Sequence, residues 1–242
     1  MTDEVRYEFL YPRDVQERLS AVPLAFLPAG LLEWHGDHLP LGTDAIKVHA
    51  HCVKLAQRIG GVVLPMLYLG RPGFSTFLGT LTFSHELVSR ALLEIFAELE
   101  KIGAKVIVLF AGHGGEVQEE TLGEATRKFN ARGGARVLYL SDWRLVADLG
   151  HRGDHGGPWE TAMVMAHFPE RVRLERFTLG VQDIPRYELP PERERHGFEL
   201  PSFQFEFKRD VRAEVTPEEA QRRLELVLQR AEREIRNALE GI

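Results

Sequence analysis

VIVLFAGHGGE, residues Val106–Glu116, is a short apolar run that passes directly into a glycine-rich turn. It reads as a buried strand, and three more runs of the same kind surround it in the chain: Val22–Pro28, Val62–Leu67 and Val137–Leu140. Longer stretches with helical spacing separate them, at Ala45–Ile59, His85–Ile102, Val117–Ala131 and Thr161–His167. Short buried strands alternating with helices predict an α/β fold, a mainly parallel sheet flanked by helices. The punctuation agrees: Ser84 stands where a helix N-cap belongs and Gly103 where a helix stops.

From about Arg171 the pattern changes. Charges, Pro185, Pro190 and Pro191 crowd the next forty residues, and the alternating run Ser202–Lys208 (SFQFEFK) reads as an exposed or edge strand. Thr216, Pro217, Glu218 and Glu219 then open a long final helix, predicted to run to about Leu239. Residues 1–242 are read as one domain, with a core at about 20–170 and a C-terminal extension at about 171–242. The last helix suits a plain surface position or an oligomer contact equally well.

The 242 residues are 44% hydrophobic and 27% charged, as a globular chain with a real core requires. A net charge of −6 without a dominant basic face argues against nucleic acid and against an anionic membrane surface. Cys52, the one cysteine, excludes an intrachain disulfide and reads as a buried thiol in the helix AIKVHAHCVKLAQRI. The acidic start MTDEVRYEFL lacks a signal-peptide pattern, and no apolar run reaches the ~20 residues of a spanning helix. A cytoplasmic location is expected.

Chemistry concentrates in three segments. Leu27–Asp44, LPAGLLEWHGDHLPLGTD, places Glu33, His35, Asp37, His38 and Asp44 in a turn-rich loop after a strand. Residues two apart in extended backbone point the same way, so Glu33 and His35 can converge. Two carboxylates and an imidazole suit Zn or Mn, although a polar loop with Asp44 as a helix cap fits the same letters. The second segment puts His113 at the carboxyl end of the Val106 strand, where ligands of open α/β sheets collect. The third, Gly153–Thr161 (GDHGGPWET), holds His155 among glycines and Glu160 at the start of a helix.

Leu27–Asp44 resembles the signature of the creatininase family, E-x-H-G-x-H-L-P-x-x-x-D. AGHGG is similar to that family's N-G-H-G-G turn, and HGGPWET to its H-G/A-G-x-x-E-T segment. The resemblance covers roughly residues 20–170, in matching order. It implies a creatininase-like α/β fold, two divalent metal ions per chain, hydrolysis of cyclic or linear amides of small molecules, and a homo-oligomer, often a hexamer. Carried over position by position, it implies Glu33, His35, Asp44 and His113 as metal ligands, with Asp44 as the bridge. Glu160 is the implied completing ligand, and His155 the acid–base group. Creatininase also uses a Glu two residues after the turn histidine; Gly115 stands there, with Glu116 one place later.

Other departures fall on the substrate side. Trp34 replaces the usual Gln, Asp37 the usual Pro and Ala111 the Asn of the turn, and Pro72–Thr80 (PGFSTFLGT) lacks the histidine of the family's corresponding segment. Trp34 and Phe77 are expected to add apolar bulk to the pocket. Asp154 is either an ordinary surface acid or a candidate to orient the His155 ring. The expected chemistry is C–N hydrolysis of a small cyclic amide or formamide, in which two ions lower the pKa of a bridging water from about 15.7 toward ~7 and His155 relays protons. Ring-opening of a cyclic ketone or sugar-derived substrate on the same metals is the other enzymatic reading. A catalytically silent metal-binding scaffold is the non-enzymatic one.

Overall fold

Strand β1 (Leu24–Ala29) occupies the inside of a four-stranded parallel sheet. It pairs on one side with β2 (Val62–Val63) and on the other with β3 (Val106–Ala111), which in turn pairs with β4 (Arg136–Ser141). The order is β2-β1-β3-β4. The computed structural model describes residues 3–150, 153–191, 193 and 197–242.

The strands read as unbroken apolar runs because both faces of the sheet are covered. Leu24, Phe26, Val106, Val108 and Phe110 face α2 (Thr43–Ile59), α5 (Pro158–His167) and α7 (Pro217–Glu240). The alternate residues Ala25, Leu27, Ala29, Ile107, Leu109 and Ala111 face α1 (Pro12–Ala21), α3 (His85–Lys101) and α4 (Glu116–Asn130). Helix α1 has no counterpart among the expected elements. Ser84 caps α3, its hydroxyl accepting from Leu87 N at 3.3 Å. Cys52 is buried in the α2 face of the core, as its sequence context implied.

Two segments differ from expectation. The run Val62–Leu67 ladders only at Val62–Val63, with a single further bridge at Leu67, because Pro65 has no N–H to give. In Ser202–Lys208 only β6 (Glu206–Phe207) forms a strand, antiparallel to β5 (Gly180–Val181). Its alternation is nonetheless real: Phe203, Phe205 and Phe207 turn inward while Gln204, Glu206 and Lys208 face solvent. After the short α6 (Val211–Glu214), Thr216 caps α7, accepting from Glu219 N at 3.2 Å. That helix is no mere surface element, since Leu224, Val227, Leu228, Ala231 and Ile235 complete the core over α2 and α5.

Strand order decides where a site can form. The chain leaves β1 toward β2 on one side and returns to place β3 on the other, so the sheet's switch point lies between the carboxyl ends of β1 and β3.

Candidate metal centre

At that switch point the backbone of Asp44 is wedged between two strand ends. A Cβ on Gly30, just after β1, would lie 2.2 Å from Ala45 N; one on Gly112, just after β3, would lie 2.0 Å from Asp44 O. Only glycine at both positions lets the start of α2 sit this close to the sheet. Asp44 is fully buried, and its oxygens point to two different imidazoles. Oδ1 is 3.3 Å from His35 Nε2, and Oδ2 is 3.2 Å from His113 Nδ1.

The other side chains close around these two directions. Glu33 Oε2 lies 3.1 Å from His113 Nδ1, while Oε1 accepts from Phe74 N at 3.2 Å. Glu160, in the first turn of α5, brings Oε2 to 3.3 Å from His35 Nε2. His35 donates from Nδ1 to Glu33 O at 2.9 Å, which fixes the ring so that Nε2 is the atom aimed inward. Two ligand-grade triplets result, Glu33–Asp44–His113 and His35–Asp44–Glu160, sharing Asp44; Glu33, His35 and His155 also converge. Glu33 Oε2, His35 Nε2 and both Asp44 oxygens are buried without a hydrogen-bond partner. Buried polar atoms are almost always paired, so four such atoms converging on one point are what a cation site requires. The mixed carboxylate–imidazole set fits a divalent ion.

Electrostatics favour positive charge at the centre. Burial opposes protonation of His35, but Asp44 and Glu160 outweigh it and push its pKa up to about 9. His113 is raised well above its ordinary value against the same burial cost, by Glu33 and Asp44. Burial likewise opposes ionisation of Glu33, yet His113, His155 and His35 hold its carboxyl below the usual range. Glu160 goes the other way, pushed up to about 7 by burial despite Lys47 and His35 beside it.

His155 sits at the mouth. Its Nε2 donates to Trp34 O, and its ring stacks on His35 at 4.3 Å and lies tilted against Phe74 at 4.2 Å, centre to centre. Nδ1 faces the centre, 3.9 Å from Glu33 Oε2. Burial, with His35 adding to it, depresses its pKa to about 3, so the ring is neutral. Asp154 does not orient this ring, contrary to the sequence reading. Its oxygens accept from Trp159 N (2.8 Å) and Glu160 N (3.2 Å), capping α5. His38 ties the loop to α5 by contacts to Gly156 O (3.0 Å) and Thr161 Oγ1 (3.2 Å). Glu116 is exposed, whereas Glu160 is buried in the centre.

A cavity of about 670 Å³ opens onto His113, His155 and Glu160, walled by Phe74, Trp143 and Phe198. Trp34 and Phe77 are not on that wall, which corrects the expectation for both. They pack against each other behind His155, with ring centres 5.6 Å apart. The reason lies in extended backbone: if Glu33 and His35 face the centre, Trp34 between them must face away. Sequence reasoning also passed over Lys47, buried against Glu160, and Asp142, buried against Lys47. A signal existed for each. Lys47 lies one helical turn after Asp44 in an apolar face, and Asp142 is an acid directly at the end of β4.

The family model described as creatinine amidohydrolase matches residues 9–223. The chain belongs to the creatininase family. Creatinine amidohydrolase of Pseudomonas putida is 32% identical over 187 residues, spanning 68% of this chain and 70% of that protein. Mycofactocin precursor peptide peptidase of Mycobacterium ulcerans is 31% identical over 189 residues, spanning 74% and 71%. Among solved structures, Creatininase Mn superposes with a TM-score of 0.74 at 27% identity, covering 97% of this chain and 98% of its own. This member of the creatininase family is a metal-dependent hydrolase that uses a divalent ion. No helix among the described residues is long and apolar enough to cross a membrane.

Proposed function

We propose that the chain binds two divalent ions, Zn or Mn, and hydrolyses the C–N bond of a small cyclic amide or formamide. The observation that carries this reading is the split aim of Asp44, whose two unpaired oxygens face His35 and His113 separately. Glu33, Asp44 and His113 would hold one ion, and His35, Asp44 and Glu160 would hold the other. When bound, such ions acidify water toward neutrality and polarise a carbonyl oxygen.

The remaining work falls to protein groups. His155, neutral at rest, would accept at Nδ1 a proton from the attacking water and return it to the leaving nitrogen, while the Trp34 carbonyl fixes the ring through Nε2. Phe74, Trp143 and Phe198 keep water from the open side and hold an apolar part of the substrate. Metal analysis after incubation with Zn or Mn tests the binuclear claim. About two ions per chain are expected, and less than half an ion per chain would sink it.

Creatinine is expected to be a poor substrate. The wall is aromatic, and PGFSTFLGT has no histidine to meet a polar ring. A cavity of about 670 Å³ also exceeds what one small ring fills, and a peptide peptidase is among the relatives. Cyclic amides and formamides that carry an apolar or aromatic neighbour should therefore lead a substrate panel, with short peptides as the comparison. A kcat/KM for creatinine within about tenfold of the best amide would contradict this, since unpaired polar contacts normally cost more than that.

A further inference from the structure

Lys47 has no part in the hydrolytic reading, yet its ammonium is buried beside the centre. It lies one turn beyond Asp44 on α2, in a face that otherwise buries Val48, Cys52 and Leu55. Its Nζ is 3.2 Å from Glu160 Oε1 and 3.3 Å from Asp142 Oδ2. Asp142 follows β4 directly, and its other oxygen accepts from Trp143 N at 2.7 Å. Three elements thus meet on one cation: α2 supplies it, the end of β4 its counter-ion, and α5 the carboxylate it holds.

The Glu160 carboxylate is divided between two tasks. Oε1 is taken by Lys47, while Oε2 accepts from Gly156 N at 2.8 Å and faces His35 Nε2. With Oε1 held, the carboxylate cannot rotate, and only Oε2 is presented to the centre. The turn after β3 offers no substitute. A Cβ at Gly115 would lie 2.2 Å from His113 Nε2, so a side chain there would displace the imidazole.

We propose that Lys47 is a positioning residue for the metal centre, with Asp142 as its counter-ion. It locks Glu160 in the orientation that completes the ligand set of the second ion. The charge matters as well as the contact. Asp142 balances the ammonium, which leaves the negative charge of Glu160 for the ion. Outer partners of this kind orient ligands and tune affinity. The proposal rests on Glu160 being a ligand, so its test must separate the two claims.

The experiment measures both stepwise affinities for Zn on the full chain, by chelator competition and metal content, alongside the thermal midpoint. Lys47→Met with Asp142→Asn removes the pair together, so no buried charge is stranded. It should hold the first ion as the parent does and bind the second about 10–100-fold more weakly. Asp142→Asn alone keeps every heavy-atom position and guards against a double variant that fails to fold. It should weaken the second ion selectively, because Lys47 then competes for Glu160 unopposed. A purely structural pair would shift the midpoint or both affinities together. Parent affinities in Asp142→Asn or in the folded double variant, with Glu160→Gln losing one ion, overturn the role of Lys47 and leave Glu160 as a ligand. Parent affinities in Glu160→Gln overturn the ligand reading and this proposal with it.

Discussion

Asp44→Ala should strip the protein of both ions and reduce turnover to background. Asp44 serves each side of the centre with a separate oxygen, so neither triplet survives its loss. A defect of folding is not the expected cause. Gly42 precedes α2, no side chain caps that helix, and neither Asp44 oxygen bonds a backbone N–H. The carboxylate therefore caps no backbone N–H of the helix, and a methyl group in its place forfeits only a modest favourable interaction with the helix dipole. Glu33→Ala and His35→Ala each touch one triplet of the proposed pair and should lower content from about two ions toward about one. Metal content of the three purified variants, with circular dichroism as a control, makes the comparison. Full metal content in Asp44→Ala would show that the residue only fills space at the helix start.

His155→Gln should keep both ions while losing ~10²–10⁴-fold in kcat, the usual worth of a general acid–base group. Glutamine fills much of the ring's space against Phe74 and His35, so the aromatic stack is not left with a hole. The KM should change little, because His155 forms only part of a wall that Phe74, Trp143 and Phe198 share. The opposite result has a clear structural meaning. His155 Nδ1 converges with Glu33 and His35, and Nε2 already donates to a carbonyl, as a ligating histidine commonly does. Loss of an ion from His155→Gln would make the residue a ligand and pass the proton relay to another group.

The layers of the fold and the candidate ligand types were legible in the amino-acid order. VIVLFA and LAFLPA are apolar at every position, which only a sheet covered on both faces accommodates, and Ser84, Gly103 and Thr216 mark helix ends by local chemistry. Glu33, His35 and Asp44 fall within twelve residues, so their convergence rests on short-range geometry that the letters encode. The same alternation already turned Trp34 away from the pocket, although that consequence was legible only once Glu33 and His35 were fixed. What tertiary structure alone decided is everything that depends on strand order. Nothing local to Gly112, Asp142 or Glu160 says that β3 lies beside β1, and Glu160 stands 127 positions after Glu33 in the chain. Packing α5 across α2 brought Glu160 to His35 and Lys47, and the inward turn of Phe203, Phe205 and Phe207 built the wall behind His155. Such contacts arise from burial shared among distant segments, a free energy set by area and fit rather than by neighbouring residues.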